Sequence, residues 1–525
     1  MGLVATCISL LAPAAKGETL ADAIALAYQS NPTLQAARAQ LRATDESYVQ
    51  ARAGFGPTIE LQAEPSYQRA QQTNIFGQSS DQESNSGAAA LEVSQPLFTS
   101  GAVTWSVDAA SEQIRAARQG LRTTEAQVLL GVVQAYVDVR RDQRIVAIYE
   151  GEVGILQNQL DDIRARQKAG DVTRTDVEQS QTQLDSARAA LTLAEGQLQI
   201  SRAEYVAVVG QNPGTLAPEP PLPGLPQTID EAFQAVEANN GSLLQAEATE
   251  QSDAAKIEEA RAQYRPSVQL SASYGYSGPL APFAVKSEQR GISAGALVTI
   301  PLFTAGIAES NVRKAIETEA ADRLGIEAAR RAAVQSAANA WNTAVAARAS
   351  ATADEHAVAA ARRYFYDTEQ EYRVGQRSTL DVLIAEQTLR AAEISAAQAE
   401  HDAYVAQAAL LAACGRLEAA NMVAGLPLYD PSVSFRKVEH KGEAPWEDLV
   451  AALDRVGVAL FPAPRPAPLS APPIASEPSL RSGDQLPADA PLATALPTSP
   501  TPAATSPATP PGLGADRGAP YTPAK

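Results

Sequence analysis

The stretch "PSVQLSASYGYSG", residues 266–278, decides the fold. Val268, Leu270, Ala272, Tyr274 and Tyr276 fall on one side of it; Ser267, Gln269, Ser271 and Ser273 fall on the other. An apolar/polar alternation of period two is a β-strand with one covered face and one wet face. A second such run, "GISAGALVTIP" (291–301), gathers Ile292, Ala294, Ala296, Val298 and Ile300. A polar loop over about 278–290 makes the two a hairpin. The pattern also occurs earlier. "TIELQAE" sets Ile59, Leu61 and Ala63 against Glu60, Gln62 and Glu64, and "ALEVSQP" sets Leu91 and Val93 against Glu92 and Ser94. A polar loop over about 68–86 joins these two strands.

The hairpins belong to a larger repeat. "SQPLFTSG" (94–101) returns as "TIPLFTAG" (299–306), 205 residues on. At the same spacing Tyr136 pairs with Trp341, Gly170 with Gly375 and Gly210 with Gly415. Upstream the spacing is 209: "ETLADAIALAYQSNP" (18–32) matches "QTIDEAFQAVEANNG" (227–241), and Pro57 matches Pro266. The four-residue difference falls between Pro57 and Pro96 and is expected in a loop. The repeats need no insertion over more than a hundred residues, which suits long helices that would lose register.

Each repeat opens with a helix pair, about 18–53 and 228–262, broken at Asn31-Pro32 and Asn240-Gly241. After the hairpin, residues 102–168 and 307–373 contain neither proline nor a turn cluster and are rich in Ala, Gln, Glu and Arg. Such a run makes a helix about 100 Å long, which requires coiled-coil-like packing. Turns at Gly170 and Gly375 lead into returning helices of about 35 to 40 residues, forming αα-hairpins. The glycines serve a left-handed backbone. Thr173 with Asp176, and Ser378 with Asp381, read as capping boxes at the start of the returning helices.

The chain has 525 residues, a net charge of −18 and no basic stripe, which argues against nucleic acid as a partner. Cys7 and Cys414 are too few for a disulfide framework; Cys414, in "LLAACGRL", reads as a buried free thiol. His356, His401 and His440 lie far apart, and no catalytic or metal-ligating constellation is present. No cofactor, metal or enzymatic activity is expected. Residues 1–17, with "APA" at 12–14, read as a partial signal peptide and point to export. No apolar run reaches the length of a transmembrane helix.

Four strands cannot close a barrel, and no helix remains to cover their apolar face. A transmembrane β-barrel built from several copies resolves this, with lipid on the apolar face and water within. Three copies give twelve strands; composition does not choose three over two or four.

Twin units of helix pair, hairpin and very long helical hairpin resemble the outer membrane efflux and secretion channels of the TolC family, over about residues 18–425. "SQPLFTSG" and "TIPLFTAG" look like that family's strand-to-helix junction. "ARQKAGDVTRTDVEQSQTQL" (165–184) and "EYRVGQRSTLDVLIAEQTL" (371–389) look like its two hairpin tips. The resemblance implies a mixed fold of long coiled-coil hairpins and a transmembrane barrel. It implies a homotrimer with a twelve-stranded barrel in the Gram-negative outer membrane and a twelve-helix tunnel in the periplasm. It also implies a periplasmic adaptor and an inner-membrane RND or ABC transporter as partners, in a tripartite efflux pump or a type I secretion system. Pro96 and Pro301 mark the barrel–tunnel junctions. The resemblance further implies that Tyr372 and Arg377 latch the closed end by bonding to Thr175 and Asp176 of a neighbouring tip. Asp381 matches an acidic ring at the constriction. Ile384 stands where a second acidic ring is expected, and the direction of Glu386 is not set by the sequence. Gly170 and Gly375 mark the tips that dock the adaptor.

The organisation read is 1–17 leader, 18–215 first repeat, 216–227 proline-rich linker, 228–425 second repeat, 426–457 periplasmic C-terminal segment and 458–525 tail. A short helix is expected at 445–456, with Trp446 anchoring it against the tunnel. Residues 451–525 hold 17 prolines, a composition that cannot bury enough surface to fold. A poreless periplasmic coiled-coil or adaptor protein, or a substrate-binding module, would instead expose a large apolar sheet face to water.

Overall fold

The structure, a computed structural model, describes residues 17–73, 75–77, 79–279 and 289–460. Residues 1–16 and 461–525 lie outside the described residues, and with them almost all of the leader, Cys7 and the proline-rich tail.

The first repeat runs α1 (Leu20–Ser30), α2 (Pro32–Arg52), β1 (Thr58–Thr73), β2 (Ser79–Phe98), α3 (Ala102–Ala169) and α4 (Arg174–Val209). The second runs α5 (Ile229–Asn239), α6 (Gly241–Ala262), β3 (Ser267–Pro279), β4 (Gln289–Thr299), α7 (Ile307–Arg373) and α8 (Thr379–Ala413). Three short helices follow: α9 (Ala419–Met422), α10 (Pro431–Val438) and α11 (Glu447–Leu460). The fold is mixed, with very long helices and one open four-stranded sheet.

That sheet is antiparallel throughout, in the order β1-β2-β3-β4, so β1 and β4 are free edges. Its register carries the sequence alternation across all four strands. Leu61, Leu91, Tyr274 and Ile292 stand in one row, and Ile59, Val93, Ala272 and Ala294 in the next but one. Between them lies Glu60, Glu92, Ser273 and Ser293, facing the other way because side chains alternate along a strand. The apolar rows are bare: Leu61 is 74% exposed and Ile292 84%. Burying one such side chain is worth about 1.5–3 kcal/mol, so the sheet taken alone forgoes many kcal/mol.

The strands of the first hairpin are longer than the sequence reading. β1 and β2 have 16 and 20 residues against 13 and 11 for β3 and β4. Most of the polar stretch 68–86 is therefore paired strand, and the extra residues of the first repeat lengthen its ladder. Polar residues suit a strand that has water on one face, so polarity alone did not mark a loop there.

The helix pairs are organised by two asparagines. Asn31 ends α1, and its side chain accepts from Thr33 N (2.9 Å) and Leu34 N (3.3 Å) at the start of α2, where Pro32 occupies the first turn. Its Nδ2 donates to Val208 O at the end of α4 (2.9 Å). Asn240 repeats every part, capping α6 and donating to Ala413 O at the end of α8 (3.1 Å). Each asparagine thus ends one helix, starts the next and pins both to the returning long helix.

The first core gathers around fully buried Tyr136 and Tyr205 with Leu20, Ile24, Leu129 and Val133. Tyr136 Oη lies 2.6 Å from Ala217 O and 2.9 Å from Glu18 O. Burial pushes its phenol up to about 12. The second core holds Trp341 in the corresponding place, with Ile229, Val236, Leu410 and Cys414. Cys414 is free and buried, and burial pushes its thiol up to about 11.

The C-terminal segment departs from the sequence reading. α11 starts two residues later and ends at Leu460, beyond the expected end at 456 and beyond the boundary at 457. Trp446 donates from Nε1 to Gln95 Oε1 (3.0 Å) on β2, so it anchors the segment to the strand end rather than to the tunnel helices. Nothing in "APWEDLV" specifies a distant partner, and only the folded chain supplies one.

Replacing Asn31 with Ala removes a helix cap and a tether together. The expected cost is about 1–2 kcal/mol, seen as a lowered thermal midpoint, with Asn240→Ala producing a similar loss.

Candidate functional site: hairpin tips and strand-to-helix junctions

The two tips are built identically. α3 ends with Asp171 N donating to Arg166 O (3.0 Å) and Gly170 N to Gln167 O (3.1 Å), with Gly170 at φ +88°. α7 ends with Gln376 N donating to Glu371 O (2.9 Å) and Gly375 N to Tyr372 O (2.9 Å), with Gly375 at φ +80°. This closes the last helical turn through a left-handed residue. A side chain on either glycine would meet no neighbour within 4 Å, so the backbone angle alone calls for glycine.

The returning helices begin with complete capping boxes. Thr173 N donates to Asp176 Oδ2 (2.8 Å) while Asp176 N donates to Thr173 Oγ1 (3.3 Å). Ser378 N donates to Asp381 Oδ2 (2.9 Å) while Asp381 N donates to Ser378 Oγ (3.3 Å). The Ser378 backbone and hydroxyl bonds hold the Asp381 carboxyl below its ordinary range, so it is charged at neutral pH.

The remaining tip residues stand apart within one chain. Arg377 donates from Nε to Glu371 Oε2 (2.7 Å). The Arg166 guanidinium lies 5.0 Å from the centre of the Tyr372 ring, and Tyr372 Oη is buried without a hydrogen-bond partner. Thr175 is exposed. Among the described residues no hydrogen bond or ion pair joins Arg377 to Asp176 or Tyr372 to Thr175. Ile384 is 47% exposed, while its neighbour Leu383 packs with Leu156, Leu160, Leu184 and Ala187 between the hairpins.

One turn above that contact the α3–α8 seam carries buried charge. Glu152 forms an ion pair with Arg390. Glu386 is buried beside them, with Oε2 lacking any partner, and Arg144 and Glu393 complete the charged lining. Desolvation pushes the Glu386 carboxyl up to about 7. Glu386 therefore points into the seam. The sequence did carry a signal here: Glu152, Leu156, Leu160 and Ile163 form one helical stripe in which the first residue is charged.

The junctions share an uncommon backbone. Ser100 (φ 55°) precedes Gly101 (φ 88°), and Ala305 (φ 50°) precedes Gly306 (φ 83°). Ser100 and Ala305 are the only non-glycine residues of positive φ among those described. Pro96 lies inside β2 at a bulge, two residues before its end, whereas Pro301 lies two residues beyond the end of β4. Leu97 and Phe98 are half-buried, but Leu302 and Phe303 are 93% and 89% exposed. Among the described residues no helix is long and apolar enough to cross a membrane, and no His, Cys, Asp or Glu group could hold a metal ion.

An open sheet with a bare apolar face, carried on duplicated helical hairpins, defines a class of outer-membrane channels. The outer membrane efflux protein family matches twice, over residues 23–211 and 232–416. The two matches begin 209 residues apart and end 205 apart, as the internal repeat does. The chain is 31% identical to the outer membrane efflux protein BepC of Brucella suis over 432 residues, 82% of this chain and 93% of BepC. It is 27% identical to the outer membrane protein TolC of Vibrio cholerae over 422 residues, 79% and 94% of the two chains. The CmeC outer membrane channel of Campylobacter jejuni has the same fold, with a TM-score of 0.66 at 15% identity over 80% of this chain and 89% of CmeC. The chain belongs to the outer membrane efflux protein family. It is an outer-membrane exit duct for efflux and secretion, with its helical part in the periplasm.

The seam gives a pH dependence of known sign. Folded Glu386 holds its proton to about pH 7, while an ordinary glutamate releases it near 4.5. Its favourable share of stability is complete below about pH 4.5 and is lost as pH rises through 7. Glu386→Gln is expected to raise the thermal midpoint at pH 8 by about 2–4 °C and to leave it unchanged at pH 4.5, as followed by circular dichroism.

Proposed function

We propose that three copies of this chain close into one duct. The observation that carries this reading is the sheet itself: four strands with free edges at β1 and β4 and bare apolar rows on one face. Joining β4 of one copy to β1 of the next gives twelve strands, removes every edge and turns the apolar rows toward lipid. The same operation gathers α3, α4, α7 and α8 of each copy into a tunnel of twelve helices. Each chain then comprises two repeats, 18–215 and 228–425, joined by the 216–227 linker and followed by the C-terminal segment. Pro96 and Pro301 lie where barrel passes into tunnel. Gly170 and Gly375 lie at its far end, where a periplasmic adaptor would dock. An inner-membrane RND or ABC transporter supplies the energy, and the duct itself conducts passively.

At that far end, Arg377 and Tyr372 of one copy latch onto Asp176 and Thr175 of the next. Three features support this. Among the described residues Arg377 is exposed and bonds to Glu371 of its own chain, Tyr372 Oη has no hydrogen-bond partner, and Thr175 is exposed. The Asp176 carboxylate spends only its Oδ2 on the cap and keeps lone pairs to spare. Three copies of Asp381 form an anionic ring favouring cations, and three copies of Ile384 narrow the pore with apolar groups where a second acidic ring would have widened the preference.

Single-channel conductance in planar bilayers tests both levels. Wild-type protein is expected to give small, mostly closed pores, and Arg377→Ala larger and longer openings. Equal conductance in the two would remove the latch and leave the duct. A protein that stays in solution without detergent and never conducts would replace the duct with a poreless coiled-coil protein.

A further inference from the structure

The two strand-to-helix junctions have nearly the same sequence but not the same surroundings. At the first, Asp454 of α11 is 1% exposed and closes over the N-terminus of α3. Its Oδ1 accepts from Thr99 N (2.7 Å), Thr99 Oγ1 (2.8 Å) and Gly101 N (3.0 Å). Its Oδ2 accepts from Thr104 N (3.3 Å) and Thr104 Oγ1 (2.8 Å). A carboxylate at this place satisfies the orphan amides of a first helical turn and complements the helix dipole. The face of α11 that bears Asp454 is shaped for the contact. Gly457 rests on Ser100, where an added Cβ would stand 2.8 Å from Ser100 Cα. Glu447 holds Arg52 (3.1 Å), and Trp446 reaches Gln95, whose Nε2 donates to Phe55 O (2.7 Å).

The second junction receives none of this. The residue of α7 equivalent to Thr104, at the same spacing of 205, is Glu309; it puts an acid in the first turn of α7, but its carboxylate pairs with Arg313 (2.7 Å) and no described side chain caps that helix. α3 carries no acid in its first turn.

We propose that α11 is a clasp and Asp454 the residue that positions the first junction. The first repeat borrows a capping carboxylate from the end of the chain, whereas the second carries only the charge of an exposed acid in its first turn. The turn from β2 into α3 is consequently set only when the last helix of the described chain has arrived. On the reading that three copies close into a duct, closure waits for this step, because the turn fixes how the sheet meets the long helices. The clasp makes the duct assemble only from chains delivered as far as residue 460.

The test compares full-length wild type, Asp454→Asn, Asp454→Ala and the double variant Asp454→Ala with Thr104→Glu, purified in detergent. Amide hydrogen exchange over 99–104 reads the clasp, with 304–309 as internal control. The fraction of oligomer surviving cold detergent electrophoresis reads assembly. Asp454→Ala is expected to speed exchange at 99–104 by about tenfold or more, to leave 304–309 unchanged and to deplete the oligomer; Asp454→Asn, which keeps the shape, gives a smaller change in the same sense. Moving the acid to position 104, as the second repeat has it, is expected to recover part of both readings, because a first-turn acid complements the helix dipole without capping the amides. Unchanged exchange in Asp454→Ala overturns the proposal. So does failure of Thr104→Glu to slow exchange at all relative to Asp454→Ala, since a generic packing role would not respond to a relocated carboxylate. If wild type forms no oligomer yet exchange follows the expected order, the clasp stands and the trimeric reading falls.

Discussion

A row of four side chains, Leu61, Leu91, Tyr274 and Ile292, has no protein in front of it. Everything else in the fold follows from the need to cover that row and its neighbours. Water is the wrong solvent for it, and among the described residues no helix is free to serve as a lid, because the long helices are consumed in hairpins. The polar row behind, with Glu60, Glu92, Ser273 and Ser293, excludes the opposite arrangement of a sheet buried on both faces. A surface apolar on one side and wet on the other, with two open edges, has few stable destinations. Closure with further copies in a bilayer satisfies apolar surface, polar surface and backbone edges together.

The duplication is preserved most faithfully where backbone groups need partners. Asn31 and Asn240 make the same bonds to the same places; Gly170 and Gly375 close the same turn; Thr173 and Ser378 open the same cap. These are obligations of helix ends and cannot be met by gradual adjustment. The junctions show where the repeats diverge. There the first copy leans on the C-terminal helix, while the second has no side-chain cap among the described residues and leaves Leu302 and Phe303 open. A gene duplicated in tandem gives two equal units but only one C-terminus, so the additional segment has to choose one of them.

Much of this was readable from the sequence, for stated reasons. Period-two alternation located the strands, the lack of proline over 102–168 and 307–373 located the long helices within a residue or two, and Asn-Pro and Asn-Gly marked the helix breaks. The tips were legible because glycine and S/T-x-x-D have one economical conformation each. Other features were not legible. The polar stretch 68–86 looked like a loop because a strand wet on one face has no hydrophobic signature where the other face is also weak. Glu386 could not be oriented, since its burial depends on how α8 lies against α3. Asp454 was invisible, because nothing local distinguishes a carboxylate that caps a helix 350 positions away from one that merely solvates its own.

The two long hairpins also impose a rule on how such a chain can change. α3 has 68 residues and α7 has 67, and α4 and α8 have 36 and 35. Each residue gained or lost in one helix would lift its tip by about 1.5 Å and rotate every later side chain by about 100°. A single deletion therefore misplaces a whole seam, and only a matched change in all four helices leaves the ends level. The number of residues in each long helix, rather than the identity of any one of them, therefore sets where the two tips stand.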